Sequence, residues 1–401
     1  MNKAESERLG SRLEEKGYRA TSTAEEADII VLNSCVVRQS AENRVVNKLR
    51  SLKALKAKQD TTLALTGCMV NSEVTRLKKD FPYVDYFFKA GGDPPWLEKQ
   101  AAPVALPRHP SPSAFVPVIQ GCDNFCAYCI VPYRRGREKS RAVSEISCEV
   151  RELVNRGVKE VTLLGQNVDS YGHDLPDKPD LADLLAELNR ITGLVRIRFL
   201  TNHPKDMSDK LIEAIASLDK VCEQLNLPVQ AGSNDILTAM RRGYTVEQYR
   251  RLVTRLRGHL PEIALSTDII VGFPSESAGQ FQETVDLLTE LRFHTVHVAA
   301  YSPREGTSAA RELEDNVPPA VKKERLCTIE QLQEKIATDH NARLLGETVE
   351  VLVEGKAKDK WQGRTRSDRL VFFHNSHDCR GQLINIRIEK TSPWSLQGKI
   401  I

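Results

Sequence analysis

Gly121-Cys122-Asp123-Asn124-Phe125-Cys126-Ala127-Tyr128-Cys129 sets three thiols at C-x3-C-x2-C spacing, directly after the apolar run Phe115–Ile119. Thiolates are soft ligands that suit iron–sulfur clusters. Three of them so close together can each bind one iron of a cubane. The fourth iron then has no protein ligand and can take a small molecule. A zinc site would call for a fourth ligand nearby and more often shows paired C-x2-C hooks; His173 and His203 could serve. Three inert core cysteines are the remaining reading, against which the polar and aromatic character of the loop argues.

Outward from this loop, strand and helix alternate. Candidate strands are Phe115–Ile119, Glu160–Leu164, Val195–Leu200, Gln224–Leu227, Leu265–Val271 and Thr295–Ala300. Helices fall between them, among them Ser144–Arg156 and Ala278–Leu291. Ser144 is expected as an N-cap, with Ile146, Val150, Leu153 and Val154 as the apolar stripe. Six βα units suit an open partial (βα)6 barrel over 108–335, and loops after the strand ends of such barrels build active sites.

Residues 1–100 read as helix (Ala4–Lys16), strand (Ala27–Asn33), helix (Ala41–Ala57), strand (Thr62–Thr66) and a further strand at Val84–Phe88, a parallel α/β domain. A Pro-rich stretch from Pro94 to Pro117 reads as a linker. A charged helix, roughly Ala320–Leu345, looks like a strut. Over 340–401, Val349, Val351 and Val353 alternate, followed by Leu383, Ile384, Ile386 and Ile388, the pattern of a small β-barrel or sandwich. The fold class is therefore α/β with a small β-domain appended.

With 57 basic and 54 acidic residues, the chain announces no nucleic-acid partner by charge alone. It lacks an apolar run near 18 residues, so no membrane span is expected. Met1–Gly10 lacks the apolar core of a signal peptide, and a cytoplasmic location is expected. Nine cysteines in a reducing compartment suit metal ligation better than disulfides.

The cysteine loop and the barrel after it resemble the radical-SAM superfamily. The longer stretches narrow this: Gly121–Arg141, LLGQNVDSYG at Leu163–Gly172, HPKD at His203–Asp206, LPVQAGS at Leu227–Ser233 and STDIIVGFP at Ser266–Pro274. Together they resemble the tRNA methylthiotransferases, nearest the MiaB-type branch that acts on isopentenyladenosine beside the anticodon. The resemblance implies a 4Fe–4S cluster on Cys122, Cys126 and Cys129, whose open iron chelates S-adenosylmethionine. One electron then yields a 5′-deoxyadenosyl radical that takes hydrogen from carbon 2 of the adenine. A second S-adenosylmethionine methylates the sulfur to be inserted. Threonylcarbamoyladenosine in tRNA, or an aspartate of a ribosomal protein, is the alternative substrate. A truncated RNA-binding iron–sulfur protein is the alternative class.

Cys35 follows the strand Ile29–Leu32 and Cys68 follows Thr62–Leu65. Both stand at the C-terminal ends of strands, where open α/β sheets place ligands; a pair of buried thiols is the plain alternative. In the resembling family three cysteines of this domain bind a second, auxiliary 4Fe–4S cluster. Cys35 and Cys68 match two of them. The first belongs to a Gly-Cys-Gln-Met-Asn stretch, and this chain opens Met1-Asn2-Lys3 where that stretch is ending. The expectation is that the first strand and its cysteine are missing from the chain as written, through a start assigned downstream or a defective auxiliary site.

Tyr128, Gln166, Gln230 and Asp268 lie at or near predicted strand ends and are candidates for holding S-adenosylmethionine. Satisfied buried polar groups are the alternative for each. Cys148, Cys222, Cys327 and Cys379 match no motif and are expected to be structural. Arg134, Arg135, Arg137, Lys139 and Arg141 form a basic run beside the barrel mouth, expected to meet phosphates. Lys356, Lys358, Lys360, Arg364, Arg366 and Arg369 interleave with Trp361, Phe372 and Phe373, as suits single-stranded RNA. That region resembles the TRAM domain. The resemblance implies as partners a tRNA anticodon stem-loop and a reducing electron donor such as flavodoxin or ferredoxin, with no membrane; a monomer is expected.

Overall fold

The computed structural model describes residues 1–36, 39–97 and 106–401, with the side chains of 40 and 71–73 left aside. The first region holds α1 (Asn2–Glu15), β1 (Ile29–Ser34), α2 (Gln39–Lys56), β2 (Thr62–Gly67), α3 (Val70–Asp80) and β3 (Tyr86–Phe87). Among the described residues its sheet is three-stranded and parallel, in the order β1-β2-β3. Leu63 and Leu65 of β2 are buried between Leu49 and Leu52 of α2 and Leu77 of α3. α3 is absent from the sequence expectation, although Val70, Val74 and Leu77 give it an apolar stripe of helical spacing.

The central region begins earlier than a linker to Pro117 would allow, because Ser113–Pro117 is already β4. The rest of the proposed linker is described only up to 97 and from 106, and its middle lies outside the described residues. After β4 come β5 (Ile119–Gln120), α4 (Val131–Arg135), β6 (Lys139–Ser140), α5 (Val143–Asn155) and β7 (Glu160–Leu164). They continue with α6 (Leu181–Asn189), β8 (Arg196–Phe199), α7 (Asp209–Ser217), β9 (Gln224–Asn226), α8 (Asn234–Ala239) and α9 (Val246–His259). The region closes with β10 (Ala264–Val271), α10 (Ala278–Leu291), β11 (Thr295–Ala300), α11 (Ser308–Glu312) and α12 (Pro319–Ala342).

Strands β4-β7-β8 and β9-β10-β11 form two parallel sheets. A parallel bridge, Ile197 to Val221, joins them in chain order. This is an open, six-stranded partial barrel among the described residues. α5 starts one residue before Ser144, with Ala142 in the capping position and no side-chain cap bond. Ser144 is therefore not the N-cap. Its expected stripe is nonetheless buried at Ile146, Val150 and Leu153. Side-chain caps do appear at α6, α9 and α10, where Asp180, Thr245 and Ser277 form capping boxes.

The last region is a closed barrel of β12 (Thr348–Ala357), β13 (Lys360–Arg364), β14 (Leu370–Phe373), β15 (Leu383–Thr391) and β16 (Leu396–Ile400). Its core is Val351, Val353, Trp361, Val371, Phe373, Ile386, Ile388 and Leu396. Two arginines of β8 fasten it to the central barrel. Arg196 donates to Arg364 O (2.8 Å) and Glu350 Oε1 (2.8 Å). Arg198 donates to Arg366 O (2.7 Å), Thr365 O (2.6 Å) and Glu160 Oε2 (3.0 Å). Among the described residues no helix is long and apolar enough to cross a membrane.

Candidate active site

The cysteine loop leaves β5 through Gly121, which sits at φ +82°, where a Cβ would collide with the carbonyl oxygen of Arg137. Glycine is needed there. Gln166, beyond the end of β7, accepts the Gly121 N–H at 2.6 Å. Cys122 N donates to Gly136 O (3.2 Å), Cys129 N to Cys126 O (2.9 Å), and Ala127 N to Met240 O (2.9 Å). Asp123 takes a fork of bonds from Arg137, at 2.6 and 3.0 Å, which holds its carboxyl below the usual range. The loop is thus pinned on both flanks by the barrel.

Cys126 is buried, while Cys122 and Cys129 are half-buried. Burial pushes the Cys122 thiol up to about 11 and the Cys129 thiol up to about 12, and the neighbouring Cys126 sulfur adds to both rises. Without a metal the Cys122 and Cys129 sulfurs keep their protons; a metal ligand must lose its proton, so binding and deprotonation are coupled. Arg242, a buried residue between α8 and α9, donates to Cys126 Sγ at 3.3 Å.

A polar shelf lies beyond β7 and β8. Asn202 Nδ2 and His203 N donate to the carboxylate of Asp169, at 2.5 and 2.9 Å, and Asn167 Nδ2 donates to Asp206 Oδ2 at 2.7 Å. Burial raises the Asp169 carboxyl to about 7 and lowers His203 to about 2. Asn167 Oδ1, Asn202 Oδ1 and His203 Nε2 are buried with no hydrogen-bond partner. Buried polar atoms without partners are costly and point to a polar group that belongs there.

The sequence candidates meet mixed placements. Tyr128 packs its ring on the barrel core and takes a long bond, 3.4 Å, from Arg242 at its hydroxyl. Gln166 is occupied by the loop glycine, so its carbonyl serves the loop rather than pointing free into the mouth. Gln230, at φ +76°, inserts its backbone into the barrel wall: its N–H donates to Asp268 O and its carbonyl accepts from Ile270 N. Asp268 accepts from Asn226 Nδ2 at 3.2 Å. It lines a cavity of about 580 Å³ between β9–β11 and the C-terminal barrel, together with His297, His340, Arg369 and the exposed Trp394. A larger cleft of about 760 Å³ is lined by Arg50, Lys53 and Arg304, with Val36, next to Cys35, and Ile130, next to Cys129, on its wall. Asp169, Asn202 and Arg242 escaped the sequence reading; the first two lie in or beside the quoted stretches, but no spacing rule marks them.

Cys35 and Cys68 follow β1 and β2, whose last residues Ser34 and Gly67 are paired in register. Gly67, at φ +96°, has no room for a Cβ beside the Ser34 carbonyl. Arg135 of α4 reaches across from the central barrel and donates to Cys68 Sγ at 3.2 Å and to Glu5 at 2.7 Å. Burial raises the Cys68 thiol, and Arg135 opposes the rise.

Several expectations need correction. Arg135 is buried on Cys68, Glu5 and Asn2, and Arg141 is tied to Glu149 (2.6 Å) and Pro117 O (2.8 Å). Neither is free for phosphate, because each is consumed by an internal anion; Arg137 is exposed but paired with Asp123, and Lys139 stays exposed. Trp361 and Phe373 are core residues of the last barrel, not stacking platforms, since the strand alternation turns them inward. Arg366 is paired with Glu223 across the domain joint (2.7 Å). Cys222 and Cys379 are buried, but Cys148 and Cys327 are exposed on helices and fill no core. His173 is exposed. Among the described residues no three His, Cys, Asp or Glu side chains are gathered around a single metal position. The thiols of a cubane bind separate irons and stand farther apart than the ligands of one zinc ion.

Family models match the chain in three places. They are the Radical SAM superfamily over residues 116–288, the Uncharacterized protein family UPF0004 over 1–89, and the TRAM domain over 342–401. A tRNA-2-methylthio-N(6)-dimethylallyladenosine synthase of Dehalococcoides mccartyi is 56% identical over 402 residues, covering 100% of this chain and 96% of that protein. The chain belongs to this synthase family. A synthase of the same name from Chloroflexus aurantiacus is 50% identical, covering 99% of this chain and 89% of the relative. Among solved structures, the radical S-adenosylmethionine methyltransferase TsrM of Kitasatospora setae, with cobalamin and a 4Fe–4S cluster bound, superposes with a TM-score of 0.57. It shares 14% identity over 76% of this chain and 73% of that one, a likeness of fold.

Membership in the synthase family carries with it a 4Fe–4S cluster, S-adenosylmethionine and tRNA binding. The residues present fit the first two. The loop supplies soft donors, a buried cation faces one of them, and the shelf after β7 and β8 offers unpartnered polar atoms for a polar cofactor.

Proposed function

We propose that this synthase adds a methylthio group to carbon 2 of isopentenyladenosine beside the tRNA anticodon. The observation that carries the reading is full-length identity of 56% to a relative of that name, joined to a pinned cysteine triad at a barrel mouth. Cys122, Cys126 and Cys129 would hold the 4Fe–4S cluster, which together with S-adenosylmethionine would supply one-electron radical chemistry at the barrel mouth. Asn167, Asn202 and His203 orient that cofactor through the atoms left unpartnered at the shelf. Tyr128 packs under the cluster loop, Gln166 sets its entry, and the Gln230 bulge shapes the wall. Asp268, His297 and Trp394 line the cavity that takes the modified adenosine, a space with room for more than one nucleobase.

Cys35 and Cys68 are two ligands of a second 4Fe–4S cluster that handles the inserted sulfur. Their support is adjacency at paired strand ends and the Arg135 bond to Cys68. A flavodoxin or ferredoxin supplies electrons, and the enzyme acts as a cytoplasmic monomer. Two measurements test these points. Nucleoside mass spectrometry of tRNA from a deletion strain, with and without this chain restored, should show the methylthio derivative of isopentenyladenosine appear only on restoration. Unmodified isopentenyladenosine in both overturns the substrate. Iron analysis after anaerobic reconstitution should give about eight irons per chain if both cubanes assemble, and about four if only the triad loads.

A further inference from the structure

Arg242 is a cation without a carboxylate. It is 5% exposed. Its Nε donates to Tyr244 Oη (3.0 Å), its Nη2 to Pro228 O (2.9 Å), and its Nη1 to Cys126 Sγ (3.3 Å) and Tyr128 Oη (3.4 Å). Among the described residues no Asp or Glu forms an ion pair with it. A desolvated charge needs an opposite charge, and phenol hydroxyls and a carbonyl supply only dipoles. The remaining neighbour is the Cys126 sulfur.

We propose that Arg242 is the positioning counter-charge of the barrel cluster: by donating to the Cys126 sulfur it favours the cluster state that holds one more electron. The inference rests on the reading of Cys122, Cys126 and Cys129 as ligands. A cubane on three thiolates is anionic, and accepting an electron adds negative charge to it. A fixed positive charge in a low-dielectric site stabilises the added charge, and an N–H···S bond withdraws density from the sulfur. Tyr244 matters because it holds the guanidinium: its ring lies 5.3 Å from the Arg242 carbon, and its own hydroxyl donates to Val229 O at 2.9 Å. Arg242 acts through Cys126 and is not itself a reacting group.

The test uses the full chain, reconstituted anaerobically and titrated with dithionite under EPR, without S-adenosylmethionine. Arg242→Gln should lower the midpoint potential, and Arg242→Lys should lie between it and the unaltered chain. A midpoint unchanged in Arg242→Gln overturns the proposal. So does a variant whose midpoint is unchanged without the cofactor and which, in a separate titration with S-adenosylmethionine, only binds it more weakly, since the guanidinium would then serve the cofactor carboxylate. If Arg242→Gln fails to fold or load, the unaltered chain decides. With guanidinium-15N arginine, ENDOR of the reduced cluster should show a 15N coupling, and a spectrum without one overturns the proposal. Failure of the ligand reading itself is visible earlier, as iron retained in full by Cys126→Ala.

Discussion

The two cysteine sites are built in opposite ways. Cys122, Cys126 and Cys129 come from one loop of nine residues, so their proximity is a property of local chain geometry. Cys35 and Cys68 lie 33 positions apart and meet only because β1 and β2 pair in register, Ser34 against Gly67. Their arginine comes from a third place, α4, which starts two residues beyond Cys129. Ile130 of that same connection packs into the core of the first domain. The loop site is thus self-contained, while the pair is assembled by docking. α4 joins them, so that the chain leaving one site becomes part of the other.

The largest expected effect separates the sites outright. Cys126→Ala should abolish both reductive cleavage of S-adenosylmethionine and tRNA modification; cleavage at the unaltered rate breaks the assignment of the triad. Cys68→Ala should remove modification but leave cleavage in place, as followed by 5′-deoxyadenosine release. If cleavage is lost as well, the sites are not separable.

Docking can be weakened without touching a cysteine. Arg135→Ala leaves Glu5 without its cation at a buried joint, for a loss of about 3 kcal/mol in stability, the low end for orphaning one partner of a buried pair. A urea titration checks this, and a loss below about 1 kcal/mol would mean that the joint is held by apolar packing alone. The smallest effect belongs to the barrel shelf. Folding depresses His203 from 6.5 to about 2. The unfolded chain therefore binds a proton that the folded chain refuses, and stability falls as pH drops below about 6.5. The contribution to the slope is at most about 1.4 kcal/mol per pH unit. His203→Gln should flatten the unfolding free energy between pH 6 and 5 by part of that amount. An unchanged slope would show that the imidazole is solvated.

The barrel strands and the triad were legible because their signals are local: apolar runs of strand length, and thiols at fixed spacing. α10 is found at its expected bounds, Ala278–Leu291. Polar residues were legible only as positions. Gln166 and Asp268 are close in kind, yet one caps a loop glycine and the other faces a cavity. The basic run misled for the same reason. Arg135 and Arg137 look equivalent in sequence, but one side of the short helix α4 turns toward Glu5 and Cys68 while the chain beyond it faces water.

Composition and spacing alone therefore establish an α/β barrel chain with a three-thiol loop and an appended β-domain, since helix and strand periods and close spacings are written residue by residue. Tertiary structure decides which charges are spent internally and which remain available. It pairs Arg196 and Arg198 with the C-terminal barrel, Arg135 with Cys68, and Arg242 with Cys126. A buried charge is settled by whatever anion or dipole the fold brings within about 3 Å. That distance is set by packing between segments remote in sequence, 67 residues apart for Arg135 and Cys68 and 116 for Arg242 and Cys126.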